Sequence, residues 1–370
     1  MAASRRELLA GGASLALSAC GGSERAYAPI APQPGDALEG LDGVGVVARI
    51  RAGDITAAEA AEAAIARAER VQPQLNFIAT PAYEMGRLRA APPPGTPAQQ
   101  GPLAGLPTFI KDLSPLAGAK FMSGSRAFAE NIAARNSPYV EALLAAGVTP
   151  LGKTTTPEFG LTATTEPLLT GPTRNPWDAA RSSGGSSGGA AVAVAAGVVP
   201  VAHGGDGGGS IRIPASCCGL VGLKVSRGRL IDAPADAPVA LAVDGCLSRT
   251  VRDTAAWIAA TERGGQGAPF PLLGLVRGPS QRRLRVGLAV ADAAGRAPDP
   301  EVAAAVTAAG ALCARLGHHV SEVAFDLDAE ANTEAFVLYW AAGAAQAAAQ
   351  VRRNAPNAPR ESLLEPLSLQ

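Results

Sequence analysis

Two glycine- and serine-rich segments frame a short apolar stretch in the middle of the chain, and they constrain the fold more than any other feature. Residues 181–189 are almost all serine and glycine, and five of residues 204–210 are glycine. The apolar residues between them predict a helix over 190–197 and a strand over 198–202. Glycine- and serine-rich runs are usually flexible linkers, but two runs that enclose a helix and a strand favour tight turns at one edge of a sheet.

Segments of helical and strand length alternate through most of the chain. Thr56 and Glu59 have the spacing of a capping box, which predicts the start of an amphipathic helix. Further predicted elements are strands at 106–110, 148–151 and 285–291 and helices at 139–146 and 301–316. This alternation predicts an α/β fold in a single domain over residues 37–353, with a mainly parallel, mixed β-sheet covered on both faces by helices.

The charged, histidine and cysteine residues argue against several classes of function. Lysine plus arginine equals aspartate plus glutamate, at 32 each, and no basic stripe is present, so we expect no nucleic-acid partner. The three histidines lack the spacing of a helical metal site, and the five cysteines form no C-x-x-C motif. We therefore expect no metal and no cofactor, and the sequence does not determine the oligomeric state.

The N-terminus resembles a twin-arginine export signal. The pair Arg5-Arg6 precedes a weakly apolar run of about 12 residues, which is too short to span a bilayer. The run ends at Cys20 in a sequence that resembles a lipobox. We predict an export signal over 1–20, a flexible tether over 21–36, and a location in the bacterial cell envelope or periplasm, with membrane contact only through a lipid on Cys20. The alternative is a disordered alanine-rich tail with a chance arginine pair.

Residues 147–154 match the phosphate-binding pattern G-x-x-x-x-G-K-[ST]. That loop works only when a strand precedes it and a helix follows, so that the helix N-terminus faces the phosphates. Here a helix precedes the first glycine, residues 148–151 are themselves predicted as a strand, and Pro157 follows four residues after Lys153. The context argues against nucleotide binding.

Residues 184–188 satisfy the G-x-S-x-G pattern of α/β-hydrolases, with Ser186 at its centre. In those enzymes the serine directly follows a strand, and an acidic residue and a histidine come later in the chain. Residues 175–181 do not have the pattern of a strand, whereas His318 and His319 do follow the motif. From the residues alone, a histidine-based triad stays open.

A third pattern is longer and more specific. Residues 184–189 are followed by Asp-Gly-Gly-Gly-Ser-Ile-Arg-Ile-Pro-Ala at 206–215 and by Cys-Gly-Leu-Val-Gly-Leu-Lys at 218–224. With the strand that ends at Lys111-Asp112 and the segment Gly152-Lys153-Thr154, these residues resemble the amidase signature family over roughly residues 38–290. The resemblance implies a single amidase-signature domain and the hydrolysis of linear or cyclic carboxylic amides.

The resemblance also implies a Ser–Ser–Lys triad. Ser210 is expected to be the nucleophile that forms an acyl-enzyme, Ser186 to relay the proton from a position after a cis peptide bond with Gly185, and Lys111 to be a neutral base. Because the solution pKa of lysine is about 10.4, Lys111 must be desolvated or crowded to act in this way.

Other residues of the two glycine-rich segments are expected to support this chemistry. The oxyanion hole is expected from the N–H groups of Gly207, Gly208 and Gly209, together with that of Ser210. Ser187 is expected to be a supporting hydroxyl. Asp206 and Arg212 are expected to brace the turn and not to touch the substrate.

Residues 201–210 resemble the branch of the family that contains cyclic nylon-oligomer hydrolases, which implies a small linear or cyclic aliphatic amide as the substrate. Because family members continue well past residue 370, the domain is expected to be truncated at its C-terminus, with a weakly ordered tail over 354–370. Two alternatives stay open. One is an inactive or truncated amidase-fold lipoprotein that acts as a binding or scaffold protein, and the other is an esterase that uses the same triad.

Overall fold

The computed structural model describes residues 35–91, 100–231, 241–325 and 327–369. These residues form two compact units, of which the first comprises 35–276 and 351–369 and the second comprises 277–350. The predicted export signal, Cys20 and nearly all of the predicted tether lie outside the described residues.

Two helices begin the first unit, and a side-chain cap fixes the start of each. Asp42 caps α1 (Gly43–Ala52) through the N–H of Gly45. Thr56 and Glu59 form the predicted capping box of α2 (Ala57–Leu75), so this part of the prediction is confirmed. A cap of this kind contributes about 1 kcal/mol, and the buried face of α2 then secures the helix against the core.

The first sheet has the strand order β1 (Ile78–Pro81), β3 (Thr149–Thr154), β2 (Pro107–Lys111). β1 runs antiparallel to β3, and β2 runs parallel to β3. α3 (Tyr83–Ala90) follows β1, and α4 (Pro138–Ala145) lies in the crossover between β2 and β3. Every residue of β2 and β3 is buried, which places the end of β2 inside the protein.

The second sheet has the order β4 (Val201–Asp206), β6 (Val243–Ser248), β5 (Val221–Gly222), with antiparallel pairing throughout. α5 (Gly188–Ala195) leads into β4, and α6 (Arg212–Cys218) follows it. α7 (Val251–Thr261) follows β6. Residues 188–194 of α5 are all buried, so this helix belongs to the core and has no solvent face.

The α/β class is confirmed, but the prediction of a mainly parallel sheet is wrong. Three of the five strand pairings in the described parts of the chain are antiparallel. No backbone hydrogen-bond ladder joins β2 to β4 in the described parts of the chain. Hydrogen bonds that involve side chains connect these two strands. Thr108 Oγ1 donates to the carbonyl oxygen of Val201 at 2.9 Å. Apolar periodicity identifies a strand but does not show in which direction its neighbour runs.

The second unit contains β7 (Arg285–Leu288), α8 (Pro300–Arg315), β8 (His319–Glu322) and most of α9 (Ala329–Asn354). β7 and β8 are parallel, so this unit contains a β–α–β element of the kind that the sequence pattern predicts. In the described ranges, no helix has both the length and the apolar character that crossing a membrane requires.

The C-terminal residues of the first unit contain two short helices, α10 (Arg360–Leu363) and α11 (Pro366–Leu369). The buried carboxylate of Glu158 accepts hydrogen bonds from the N–H of Glu365, at 2.8 Å, and from the hydroxyl of Ser368. Arg126 donates to the carbonyl oxygen of Leu364 at 3.0 Å. The prediction of a weakly ordered tail did not anticipate these contacts, because their partners lie about 200 positions earlier in the chain.

Candidate active site

Lys111 ends β2 inside the core, with only 2 % of the residue exposed. Its Nζ lies 2.7 Å from Oγ of Ser186 and donates to the carbonyl oxygen of Gly205 at 3.2 Å. Burial lowers the pKa of Lys111 to about 7, and the charges of Asp244 and Asp206 act in the opposite direction. At neutral pH roughly half of such amines carry no proton, and the unprotonated amine is the form that can act as a base.

Ser186 follows a cis peptide bond with Gly185, as the resemblance implies. The residue is buried, and a second turn packs closely against its hydroxyl. A Cβ added at Gly160 would lie 3.2 Å from Ser186 Oγ and 2.7 Å from Leu113 Cδ1. Only a glycine at position 160 lets the turn come this close to Ser186. The turn at Glu158–Gly160 therefore limits where the Ser186 side chain can lie.

Ser210 lies at the turn that leads into α6 and is 7 % exposed. The N–H of Ser187 donates to the carbonyl oxygen of Ser210 at 3.1 Å, and Ser187 Oγ donates to the carbonyl oxygen of Gly205 at 3.2 Å. Within the described chain, no hydrogen bond joins the hydroxyl of Ser210 to that of Ser186. The structure therefore brings Ser186 and Lys111 together through their side chains and brings Ser210 next to them through the backbone of Ser187.

Asp206 organises the turn that carries Ser210. Its carboxylate accepts hydrogen bonds from the N–H groups of Gly209, Ile211 and Arg212 at 2.9–3.3 Å. The guanidinium of Arg212 adds a two-point contact, at 2.9 Å to each oxygen. Burial alone would raise the pKa of Asp206, but Arg212 and the backbone donors outweigh it and hold the pKa below its usual value. Asp206 and Arg212 thus contact each other, and Asp206 holds the backbone of the turn through three N–H groups.

The structure changes the expected set of oxyanion donors. The N–H of Gly209 already donates to Asp206 Oδ1 at 2.9 Å, so it is not available to a substrate. The N–H groups of Gly207, Gly208 and Ser210 donate to no acceptor among the described residues. The glycine run alone could not reveal this difference, because it depends on which N–H the Asp206 carboxylate captures.

Sequence reasoning missed two polar side chains next to Lys111. His203 is fully buried, and its Nδ1 lies 3.1 Å from the backbone nitrogen of Lys111. On its other side, His203 Nε2 lies 3.0 Å from Asp244 Oδ1. The only available signal was a histidine inside an apolar strand that ends at the glycine turn. Asp244 lies in β6, whose register against β4 is decided by tertiary pairing.

The phosphate-loop motif has a structural role at this place. Gly152 and Lys153 lie within β3, and a Cβ at Gly152 would lie 2.6 Å from the carbonyl oxygen of Thr80 in β1. The fully buried Lys153 Nζ contacts Asp112 Oδ1 at 3.2 Å and donates to the carbonyl oxygen of Ser114 at 2.8 Å. The glycine permits close strand packing, and the lysine is used in a buried ion pair.

The contacts of Ser186 do not support a triad in which a histidine is the base. Ser186 Oγ pairs with Lys111 Nζ. His319 begins β8 in the second unit, and His318 Nδ1 accepts a hydrogen bond from the N–H of Leu284 in that same unit.

Comparison with known proteins decides the family. The family model described as Amidase matches residues 59–369. This chain belongs to the amidase family. AmiC of Mycobacterium tuberculosis is 43 % identical over 307 residues, which cover 82 % of this chain and 64 % of AmiC. The predicted relationship to the amidase signature family is therefore confirmed.

Two further relatives refine this position in the family. The 6-aminohexanoate-cyclic-dimer hydrolase of Paenarthrobacter ureafaciens is 39 % identical over 287 residues, which cover 74 % of this chain and 57 % of that enzyme. The crystal structure of a bacterial aryl acylamidase of the amidase signature family has a TM-score of 0.80 and 26 % identity, covering 89 % of this chain and 71 % of that one. The chain spans less than two thirds of the length of the curated relatives it matches.

Proposed function

We propose that this chain hydrolyses a carboxylic amide to a carboxylate and ammonia or an amine, through an acyl-enzyme on Ser210. The observation that carries the proposal is the 2.7 Å contact between Lys111 Nζ and Ser186 Oγ. A buried lysine whose pKa lies at about 7 supplies a base to a serine hydroxyl without any histidine.

In the acylation step, Ser210 Oγ attacks the carbonyl carbon of the amide. The proton of Ser210 passes to Ser186 Oγ, and the proton of Ser186 passes to the neutral amine of Lys111. The resulting tetrahedral intermediate carries its negative charge on the former carbonyl oxygen. The proton then returns from Lys111 through Ser186 to the amide nitrogen, the C–N bond breaks, and the amine leaves.

In the deacylation step, a water molecule takes the place of Ser210 as the nucleophile. Its proton follows the same path to Lys111 while its oxygen attacks the ester carbonyl of the acyl-enzyme. Collapse of the second intermediate returns a proton to Ser210 Oγ and releases the carboxylic acid. Lys111 ends the cycle as a neutral amine, so each turnover consumes one amide and one water.

The negative charge of each intermediate needs fixed donors. The N–H groups of Gly207, Gly208 and Ser210 are available for this role, and Asp206 holds the turn that carries them. Removing one such donor typically costs about 3 kcal/mol of barrier, so the turn contributes to catalysis as strongly as the base does.

The proposed substrate is a small linear or cyclic aliphatic amide. Support comes from the 39 % identity to a protein named 6-aminohexanoate-cyclic-dimer hydrolase. The residues before the nucleophile support the same substrate class. Gly205 and the three consecutive glycines before Ser210 belong to the segment that resembles the branch with cyclic nylon-oligomer hydrolases. A panel of linear and cyclic aliphatic amides, with amine release as the readout, tests this assignment against aryl amides and esters of matched size.

A fluorophosphonate probe tests the function before any substrate is known. Labelling of the wild type, and loss of labelling in Ser210→Ala and Lys111→Met, is the expected result. Absence of labelling across the pH range, in protein that unfolds cooperatively, contradicts the proposal and favours a non-catalytic binding or scaffold protein. Hydrolysis of esters without measurable hydrolysis of amides would favour the esterase alternative.

We also propose that the protein is exported and anchored by a lipid on Cys20, on the basis of Arg5-Arg6 and the lipobox-like sequence. Metabolic labelling with palmitate in the expressing bacterium should modify the wild type and not Cys20→Ala. Equal labelling of the two proteins would contradict the anchor. Retention of the whole protein in the cytoplasm would contradict export.

A further inference from the structure

His203 lies between Lys111 and a carboxylate, in the middle of the core. Its ring nitrogens contact the backbone nitrogen of Lys111, at 3.1 Å, and Asp244 Oδ1, at 3.0 Å. The centroid of the His203 ring also lies 5.4 Å from the ring centroid of Tyr139 in α4. His203 therefore has a defined partner on each side, although the proposed proton path uses none of these atoms.

The hydrogen bonds define the protonation state of the ring. Because the backbone N–H of Lys111 is a donor, His203 Nδ1 must carry a lone pair. The ring proton then lies on Nε2 and is donated to Asp244 Oδ1. A second proton on the ring would remove the acceptor that Lys111 uses, so the arrangement requires a neutral imidazole.

The contact bears directly on where Lys111 lies. β2 and β4 carry the base and the turn of the nucleophile, and side chains bridge them in the described part of the chain. One bridge is Thr108 Oγ1 to the carbonyl oxygen of Val201, near the start of β2. A second is the N–H of Lys111 to His203, at the end of β2 where the base lies, and a third is Lys111 Nζ to the carbonyl oxygen of Gly205. The second bridge therefore fixes the backbone from which the lysine side chain extends.

We propose that His203, oriented by Asp244, is a positioning residue that holds Lys111 against Ser186. The inference rests on the proposed function, in which Lys111 is the base. It adds His203 and Asp244 to the three side chains that carry out the proton relay.

The charges around Lys111 make the effect of Asp244 testable. Asp206 of β4 and Asp244 of β6 are the two carboxylates whose charges raise the pKa of Lys111 against its burial. Asp206 forms an ion pair with Arg212, whereas Asp244 forms a hydrogen bond with His203. Tyr139 packs against the ring of His203, and Cys246 is the residue opposite His203 in β6. Burial raises the pKa of both, so they stay neutral at physiological pH.

The first experiment needs no substrate. The chain has four lysines and three histidines, so NMR of labelled lysine Cε and histidine ring nitrogens gives resolvable signals. We expect His203 protonated only on Nε2, and a Lys111 pKa that falls by roughly half a unit or more in Asp244→Asn. A proton on His203 Nδ1, or an unchanged Lys111 pKa in Asp244→Asn, would overturn the inference.

The second experiment separates positioning from general packing. His203→Leu removes the acceptor for Lys111, whereas His203→Asn retains a δ oxygen that can accept the same N–H. Thr108→Val is the matched control, because it breaks a different bridge between the same two strands, near the start of β2. We expect a loss in kcat/KM on the order of 100-fold for His203→Leu, recovery of at least tenfold in His203→Asn, and a change below about threefold for Thr108→Val.

The outcomes distinguish this inference from the proposed function. If the wild type hydrolyses amides but His203→Leu and Thr108→Val lose equal activity and equal stability, His203 is a packing residue and the inference fails. If the wild type is inert, the proposed function fails, while the NMR titration still reports whether Asp244 and His203 act on Lys111. If His203→Leu does not fold, Asp244→Asn decides, because Asp244 is partly exposed and its replacement is isosteric.

Discussion

Lys111 and Ser186 are 75 positions apart in the chain, and their side chains meet at 2.7 Å inside the core. The lysine extends from the end of a buried strand, and the serine follows a cis peptide bond in a glycine turn. Both residues are sheltered from solvent, since each is about 2 % exposed. Burial disfavours the ammonium form, and the neutral amine beside a hydroxyl is the arrangement that a serine-based relay requires.

The pH dependence of activity should follow the protonation of Lys111. In the proposed mechanism the active form is the neutral amine, and burial lowers the pKa of this group to about 7. As pH falls below 7 the ammonium form accumulates, so kcat/KM should decline about tenfold per pH unit on the acidic side. Initial rates of amine release between pH 5 and 9 measure this. A flat profile down to pH 5 would exclude Lys111 as the titrating base.

Replacing the base should separate activity from stability. Lys111→Met retains the length of the side chain and removes the amine, so amide hydrolysis should fall by about 10²–10⁴-fold. The thermal midpoint should stay at or above that of the wild type, because an apolar side chain replaces a buried amine. Calorimetry on the same sample provides the control. A variant that loses activity only in step with unfolding would indicate a structural role for Lys111.

Gly160→Ala should damage the site through contact with Ser186. The added Cβ would lie 3.2 Å from Ser186 Oγ and 2.7 Å from Leu113, and the residue has φ = 73°. Gly53→Ala is the matched control, since Gly53 has φ = 77° and no atom within 4 Å of its added Cβ. Both variants should lose about 1 kcal/mol to backbone strain, and only Gly160→Ala should also lower kcat. Equal kinetics for the two would show that Gly160 does not restrict Ser186.

Lys153 should be essential for the stability of the fold and should take no part in nucleotide binding. Lys153→Met leaves the fully buried carboxylate of Asp112 without its cation, which should cost about 3–5 kcal/mol in the free energy of unfolding. Urea denaturation measures the loss, and the double variant Lys153→Met/Asp112→Asn should recover part of it because no unpaired charge remains. Nucleotide should not raise the thermal midpoint of the wild type. A nucleotide-dependent increase that Lys153→Met abolishes would restore the phosphate-loop interpretation.

The sequence was most informative where chemistry imposes residue types over a short stretch. The two glycine turns, the capping box at Thr56 and the family were all recognisable, because each depends on residues close together in the chain. The structure also has the cis bond before Ser186 that the family resemblance implied. Strand direction was predicted wrongly, since period-two or apolar patterns look alike in parallel and antiparallel strands.

By itself the sequence determined the family, the α/β class and the residues of the proposed triad, because these follow from local motifs. Only the tertiary structure decided how the parts are combined. It assigned the N–H of Gly209 to Asp206, gave Lys111 the buried partners Ser186 and His203, and used Lys153 in an ion pair. The reason is physical: burial and hydrogen-bond partners come from segments far apart in the chain, and they alone decide which amine is neutral and which N–H is free.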